Sequence, residues 1–221
     1  MGSHADQSPI KPTFTTPEAR NESPQVAKLI ASLNLLAHIE GGYFAETDRD
    51  PAIVPSPFPD AAASDATLRL AGPQRPGFQP GLRNASTSIF YLLTPGSPQG
   101  SFHRNRARTV HTLHRGRGRY VLLHPDGRVE TFVVGPDVAA GERLQWIVEG
   151  AVWKASFLLS DEPEDSGAGP VSGGLLISET VVPGFEYCDH EFLTQEGLVR
   201  EVGGELAEDL RWLVRKTLDV A

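Results

Sequence analysis

Apolar positions fall into two rhythms along this chain. Val26, Leu29, Ile30, Leu33 and Leu36 recur every three or four residues, which lines one side of an α-helix. Ser23-Pro24 just before them reads as an N-cap with proline at the first helical position. The helix ends before His38 and the pair Gly41-Gly42. From residue 86 onward the rhythm shortens. STSIFYLL, RTVHTLH, RYVLLH, RVETFVVG, LQWIVEG, VWKASFLLS and GLLISETVV follow one another, rich in β-branched and aromatic residues. PGSPQG, RGRG, HPDG and GPDVAAGE punctuate them, so each run reads as a strand bounded by turns. In HPDGRVE, Asp126-Gly127 stands between two such runs and predicts a hairpin. No strand-helix-strand alternation appears, so the sheets are expected to be antiparallel. Many short strands in succession predict an all-β sandwich or jelly-roll barrel.

The flanks carry less pattern. Residues 1–22 are rich in proline, serine and threonine without periodicity and predict a disordered leader. Residues 50–83 hold seven prolines and predict a long loop with one strand, TLRLA. Residues 160–174 predict an acidic, glycine-rich loop. Leu206, Leu210, Leu213, Val214 and Leu218 predict a closing helix from about Gly204 to Leu218. One domain over 23–200 with the C-terminal segment 201–221 packed on it is the expected organisation.

Composition narrows the function. No apolar run approaches the roughly 18 residues a membrane span needs, and MGSHADQSPIKPTF lacks the apolar core of a signal peptide; a cytoplasmic protein is expected. A net charge of −8 argues against a general nucleic-acid binder. Cys188 is the single cysteine, which excludes an internal disulfide and a multi-cysteine zinc site.

The chemistry concentrates in HRNRARTVHTLHRGRGR, residues 103–119, with six arginines and three histidines. Arg104, Arg106 and Arg108 alternate, as do Arg115, Arg117 and Arg119, so on strands each set shares a face. Burying six guanidiniums together without anions is prohibitively costly. Most of them are therefore expected in water or in salt bridges, with Arg104 as an anion clamp at a pocket mouth. His111 and His114 are three apart and must point to opposite faces of one strand; the sequence leaves open which faces inward.

HIEGGYFAET, STSIFYLL, SFHRNRARTVHTLHRGRG, YVLLHPDGRVETFVVGPD, GERLQWIVEGAVWKASFLLS and VVPGFEYCDHEF occur in this order. Together they resemble the small single-domain cupins grouped as domain of unknown function 985, in particular their fungal-type members. The resemblance spans roughly residues 24–195 and implies a cupin jelly roll, commonly a homodimer, with a small-molecule pocket inside the barrel. It implies no particular reaction. The general cupin metal motif fits poorly. With Gly116 as its closing glycine, Thr109 stands at the glutamate position, His103 at one histidine and Ser101 at the other. In the second motif the histidine position falls at Trp153 or Lys154, and Glu149 replaces the proline.

The expected function is therefore metal-independent acid/base chemistry of an isomerase, epimerase, cyclase or lyase on an anionic or oxygenated metabolite. His103 is the expected base, His111 its partner, and Tyr43 an alternative acid, with Glu40 beside them. Arg104, His114, Glu46, Phe102, Trp153 and Tyr187 are the expected substrate contacts. Two alternatives stand beside this. One is an iron, zinc or manganese enzyme with His103, His111 and Glu40 (or Glu149) as ligands, the histidines meeting across a hairpin. The other is a ligand-binding cupin without turnover.

Overall fold

A computed structural model describes residues 10–15, 17, 21–58, 65–162 and 169–216. Most of the expected leader, and part of the acidic loop, lie outside the described residues. Within the leader, Ile10 and Phe14 pack against the core. Helix α1 (Pro24–Ser32) begins as its sequence predicts, with the Ser23 hydroxyl accepting from the Val26 amide.

The strands follow in chain order as β1 (Leu36–Ala37), β2 (Tyr43–Arg49), β3 (Ile53–Pro55), β4 (Leu82–Asn84), β5 (Thr87–Leu93) and β6 (Gln99–Asn105). After these come β7 (Arg108–Arg115), β8 (Gly118–Leu123), β9 (Val129–Val134), β10 (Gln145–Val148), β11 (Trp153–Leu158), β12 (Leu175–Val182) and β13 (His190–Phe192). Two antiparallel sheets form, ordered β1-β2-β5-β12-β7-β10 and β13-β6-β11-β8-β9, with β3 and β4 as a separate ribbon. The Asp126-Gly127 hairpin joins β8 to β9, Gly127 taking a φ of +81°. The RGRG turn carries the chain from β7 in one sheet to β8 in the other. TLRLA is not a strand. It lies in helix α2 (Asp65–Ala71), closed by Gly72 at φ +79° with its amide bonded to the Leu68 carbonyl.

Apolar side chains fill three places. Tyr91, Leu93, Tyr120, Phe132, Trp146 and Ile177 pack between the sheets. α1 lies on the outer face of the six-stranded sheet, where Leu29, Ile30 and Leu33 cover Leu92 and Leu176. On the outer face of the other sheet, Phe102, Val121, Trp153 and Phe157 are covered by helices α3 (Gln195–Val202) and α4 (Gly204–Leu210). The closing helix expected from Gly204 is α4, which passes into a 3-10 turn over Arg211–Leu213, while Leu218 lies outside the described residues; α3, which the sequence does not predict, precedes it across Gly203 (φ +81°). Thr194 starts α3 by accepting from the Gly197 amide.

Candidate active site in the barrel

Pleating decides which groups meet inside. On β6, Phe102 and Arg104 point outward while His103 and Asn105 point between the sheets; on β11, Trp153 and Ala155 point outward and Lys154 and Ser156 inward. β7 turns His111 inward and leaves His114 exposed on the outer face, edge-on to Phe90. Glu179 enters from β12, directly opposite His111 in register. A row of polar groups therefore crosses the interior, every one of them less than a tenth exposed.

These groups form two clusters. In the first, the Lys154 ammonium donates to Glu179 Oε2 at 2.7 Å and to His111 Nε2 at 2.9 Å. His111 stacks on Trp146 and meets the edge of Tyr120. Burial alone would raise the Glu179 pKa, but the charges of Lys154 and His111 outweigh it and hold the carboxyl far below the usual range. Burial, then repulsion from Lys154, lowers the His111 pKa against the pull of Glu179. Burial likewise pushes the Tyr120 phenol well up.

The second cluster gathers around Glu40, in the loop before β2. That loop is pinned to β6 by the Ser101 amide, which donates to the Glu40 carbonyl at 2.7 Å. Gly41 makes the close approach feasible: its φ is +109°, and a Cβ there would stand 2.0 Å from the Gln99 carbonyl oxygen. Glu40 Oε1 lies 3.0 Å from His190 Nε2 and 3.2 Å from His103 Nε2. His38 Nδ1 approaches Oε2 at 3.4 Å. Burial would raise the Glu40 pKa; His103 and His38, with the His190 hydrogen bond, keep it well below the ordinary carboxylate value. Burial drives the His103 pKa down to about 3 against the pull of Glu40.

A cavity of about 300 Å³ opens onto both clusters. Glu40, Thr87, Asn105, Glu179 and Glu186 are its buried polar groups, and Phe44, Ile89 and Val181 supply apolar wall. At its rim Arg49 reaches Glu46 at 2.7 Å and Glu186 at 3.1 Å, and Arg75 reaches Glu186 at 2.7 Å. Tyr187 also lines the cavity.

Of the expected site residues, Glu40, Glu46 and Tyr187 line the cavity, and His103 and His111 lie in the two clusters behind it. His103 and His111 do not meet across a hairpin, because β6 and β7 belong to opposite sheets. The others are elsewhere. Arg104 pairs with Glu191 and covers the Trp153 ring on the outer face. Phe102 and Trp153 belong to the packing under α3 and α4, the indole donating to Glu201 at 3.2 Å. Tyr43 packs with the α1 cluster, and its hydroxyl donates to Glu22. Glu149 is exposed and pairs with Arg108. Three arginines of 103–119 find salt bridges: Arg117 joins Glu142, and Arg104 and Arg108 pair as above. Lys154, Glu179, His190 and Arg49 emerge from the fold. Two of them had a sequence signal, since Lys154 sits at the motif's histidine position and His190 lies within VVPGFEYCDHEF.

The general cupin ligand set does not fit this interior. Lys154 presents an ammonium where the motif places a histidine, and an ammonium offers no lone pair to a metal. Ser101 and Thr109 occupy two further ligand positions.

Facing antiparallel sheets, with polar groups and a cavity between them, define a jelly-roll barrel of the cupin kind. The chain belongs to the family described as Cupin superfamily (DUF985), whose profile matches residues 27–193. It is 46% identical over 187 residues to the "Uncharacterized protein YML079W" of Saccharomyces cerevisiae, covering 84% of each chain. Among solved structures it is similar to a hypothetical protein from Leishmania major, with 26% identity and a TM-score of 0.65 over 89% of this chain and 100% of that one. Protein SO0799 of Shewanella oneidensis shares the fold at 24% identity, with a TM-score of 0.62 over 86% of this chain and 96% of that one. Among the described residues no helix is long and apolar enough to cross a membrane.

Proposed function

We propose that the chain is a proton-transfer enzyme, of the isomerase, epimerase, cyclase or lyase kind, for a small oxygenated metabolite held in the barrel. One observation carries this reading. Glu179 faces the cavity while Lys154 and His111 are hydrogen-bonded in a row behind it. A carboxylate, an ammonium and an imidazole in contact form a path along which a proton taken from a ligand can pass to a buried acceptor. The path needs no outside water, because every member is buried. In this reading Glu179 takes the base role expected of His103, whose ring lies behind Glu40. Arg49 and Arg75 take the anion-holding role expected of Arg104, since guanidinium groups at the rim suit a carboxylate or phosphate on the metabolite.

The test works with an unidentified substrate. Purified protein is incubated in D2O with a fractionated metabolite extract and the products are followed by mass spectrometry. The expected result is deuterium gain or rearrangement of one compound with the wild type and its loss with Glu179→Gln. A compound retained by the protein in native mass spectrometry but never altered would replace this reading with ligand binding without turnover.

A further inference from the structure

From Glu40, His103 and His190 we infer a binding site for one divalent first-row transition cation, built outside the general cupin ligand positions except for His103. The site shares no ligand with the proton path through Glu179.

The protonation of His103 comes first. Its Nδ1 lies 2.8 Å from the Ser101 carbonyl, which can only accept, so the proton is on Nδ1 and Nε2 carries a lone pair. That Nε2 is buried and has no hydrogen-bond partner, although Glu40 Oε1 is 3.2 Å away. The ring nitrogen is not aimed at the oxygen; the two atoms lie side by side. A salt bridge would point one at the other. Ligands of a common ion instead point at the ion and pass each other by.

Spacing agrees with this. Zinc-type bonds to imidazole nitrogen and carboxylate oxygen are about 2.0–2.2 Å, so two donors at right or tetrahedral angles stand about 3.0–3.5 Å apart. Glu40 Oε1 stands 3.2 Å from His103 Nε2 and 3.0 Å from His190 Nε2, the latter a hydrogen bond that a bound ion would replace, and all three donor atoms fall within 4.8 Å of one another. The Ser101 carbonyl supplies the outer partner that fixes a ligating imidazole. Two histidines and one carboxylate suit zinc, manganese or ferrous iron and leave coordination positions open. Glu40 lines the cavity, so an oxygen of a bound molecule can complete the shell. Lys154, paired with His103 across β6 and β11, does not oppose the ion as a bare charge, because Glu179 neutralises it at 2.7 Å.

The deciding experiment uses the full chain, prepared without a nickel column and stripped with chelator. Co²⁺ is titrated in and followed by its visible absorption and by the shift in thermal unfolding, with Zn²⁺ as competitor. One equivalent should bind and raise the unfolding temperature. His103→Gln, His190→Gln and Glu40→Gln should each weaken binding by more than the about 10–100-fold typical of outer-shell changes. Should a variant not fold when metal-free, Cu²⁺ on the wild type provides the second readout. Its EPR spectrum should show coupling to two imidazole nitrogens. Absence of saturable binding, binding unchanged in folded variants, or coupling to fewer than two nitrogens each overturns the site.

Discussion

His111 is one of two buried histidines whose titration should be visible in stability. Its folded pKa is lowered from 6.5 by burial and by Lys154, with Glu179 pulling the other way. The unfolded chain therefore binds a proton that the folded chain resists. Its contribution to stability is complete above about pH 6.5 and falls away as the pH drops from there toward the folded pKa. Glu179 is lowered too, but from 4.5, so its loss begins only in more acid solution. Urea midpoints measured at successive pH values should decline on acidification below about 6.5, and His111→Gln should flatten the first part of that decline. His103 titrates in the same direction, so the variant should reduce the slope without abolishing it. An unchanged slope would place the titration elsewhere.

At the scale of elements, the two faces of the five-stranded sheet divide the work. Phe102 is fully buried against α3 and α4, away from the cavity. Phe102→Ala should cost about 3–5 kcal/mol in urea unfolding while leaving Co²⁺ affinity unchanged; a comparable loss of affinity would mean that the outer layer shapes the site. The same sheet explains what the sequence could and could not disclose. Strand positions were legible from short apolar runs and turns, and β5, β7, β8 and β12 fall where those runs lie. Which face was inner was not legible, because apolar side chains are wanted on both: Phe102 and Trp153 look like pocket walls until helices are found over them. The opposition of His111 and His114 followed from pleating, yet only the assembled barrel turns His111 inward. Lys154 and Glu179 are brought together from opposite sheets, and no local spacing announces such a pair. The other closing helix stays hidden in the sequence because GGELAEDL carries the clear periodicity, whereas α3 shows its apolar side, with Leu198 and Val202, only in the cluster that includes Leu193.

For the molecule as a whole, one buried ion pair fastens the ribbon β3-β4 to the segment after β12. Arg83, 1% exposed, meets both oxygens of Asp189 at 2.6 and 3.0 Å, beside His190. Arg83→Ala would strand Asp189 as an unpaired buried charge, at a cost of about 3–5 kcal/mol. It should also weaken Co²⁺ binding, since the backbone that carries His190 loses its fastening. Chemical denaturation and the metal titration check the two halves of this expectation separately, and a destabilised variant with full affinity would show that β13 alone sets the position of His190.

The distance in sequence between Glu40, His103 and His190 has a consequence in time. A chain made from its amino end places Glu40 and His103 early, whereas His190 arrives late, together with the cavity residues Phe185 and Tyr187. Until then the barrel is a vessel without one wall, and whatever it is to hold can be kept only once the late segment has swung across. The occupant then acts as a latch on that last segment, resisting its release for as long as it stays bound.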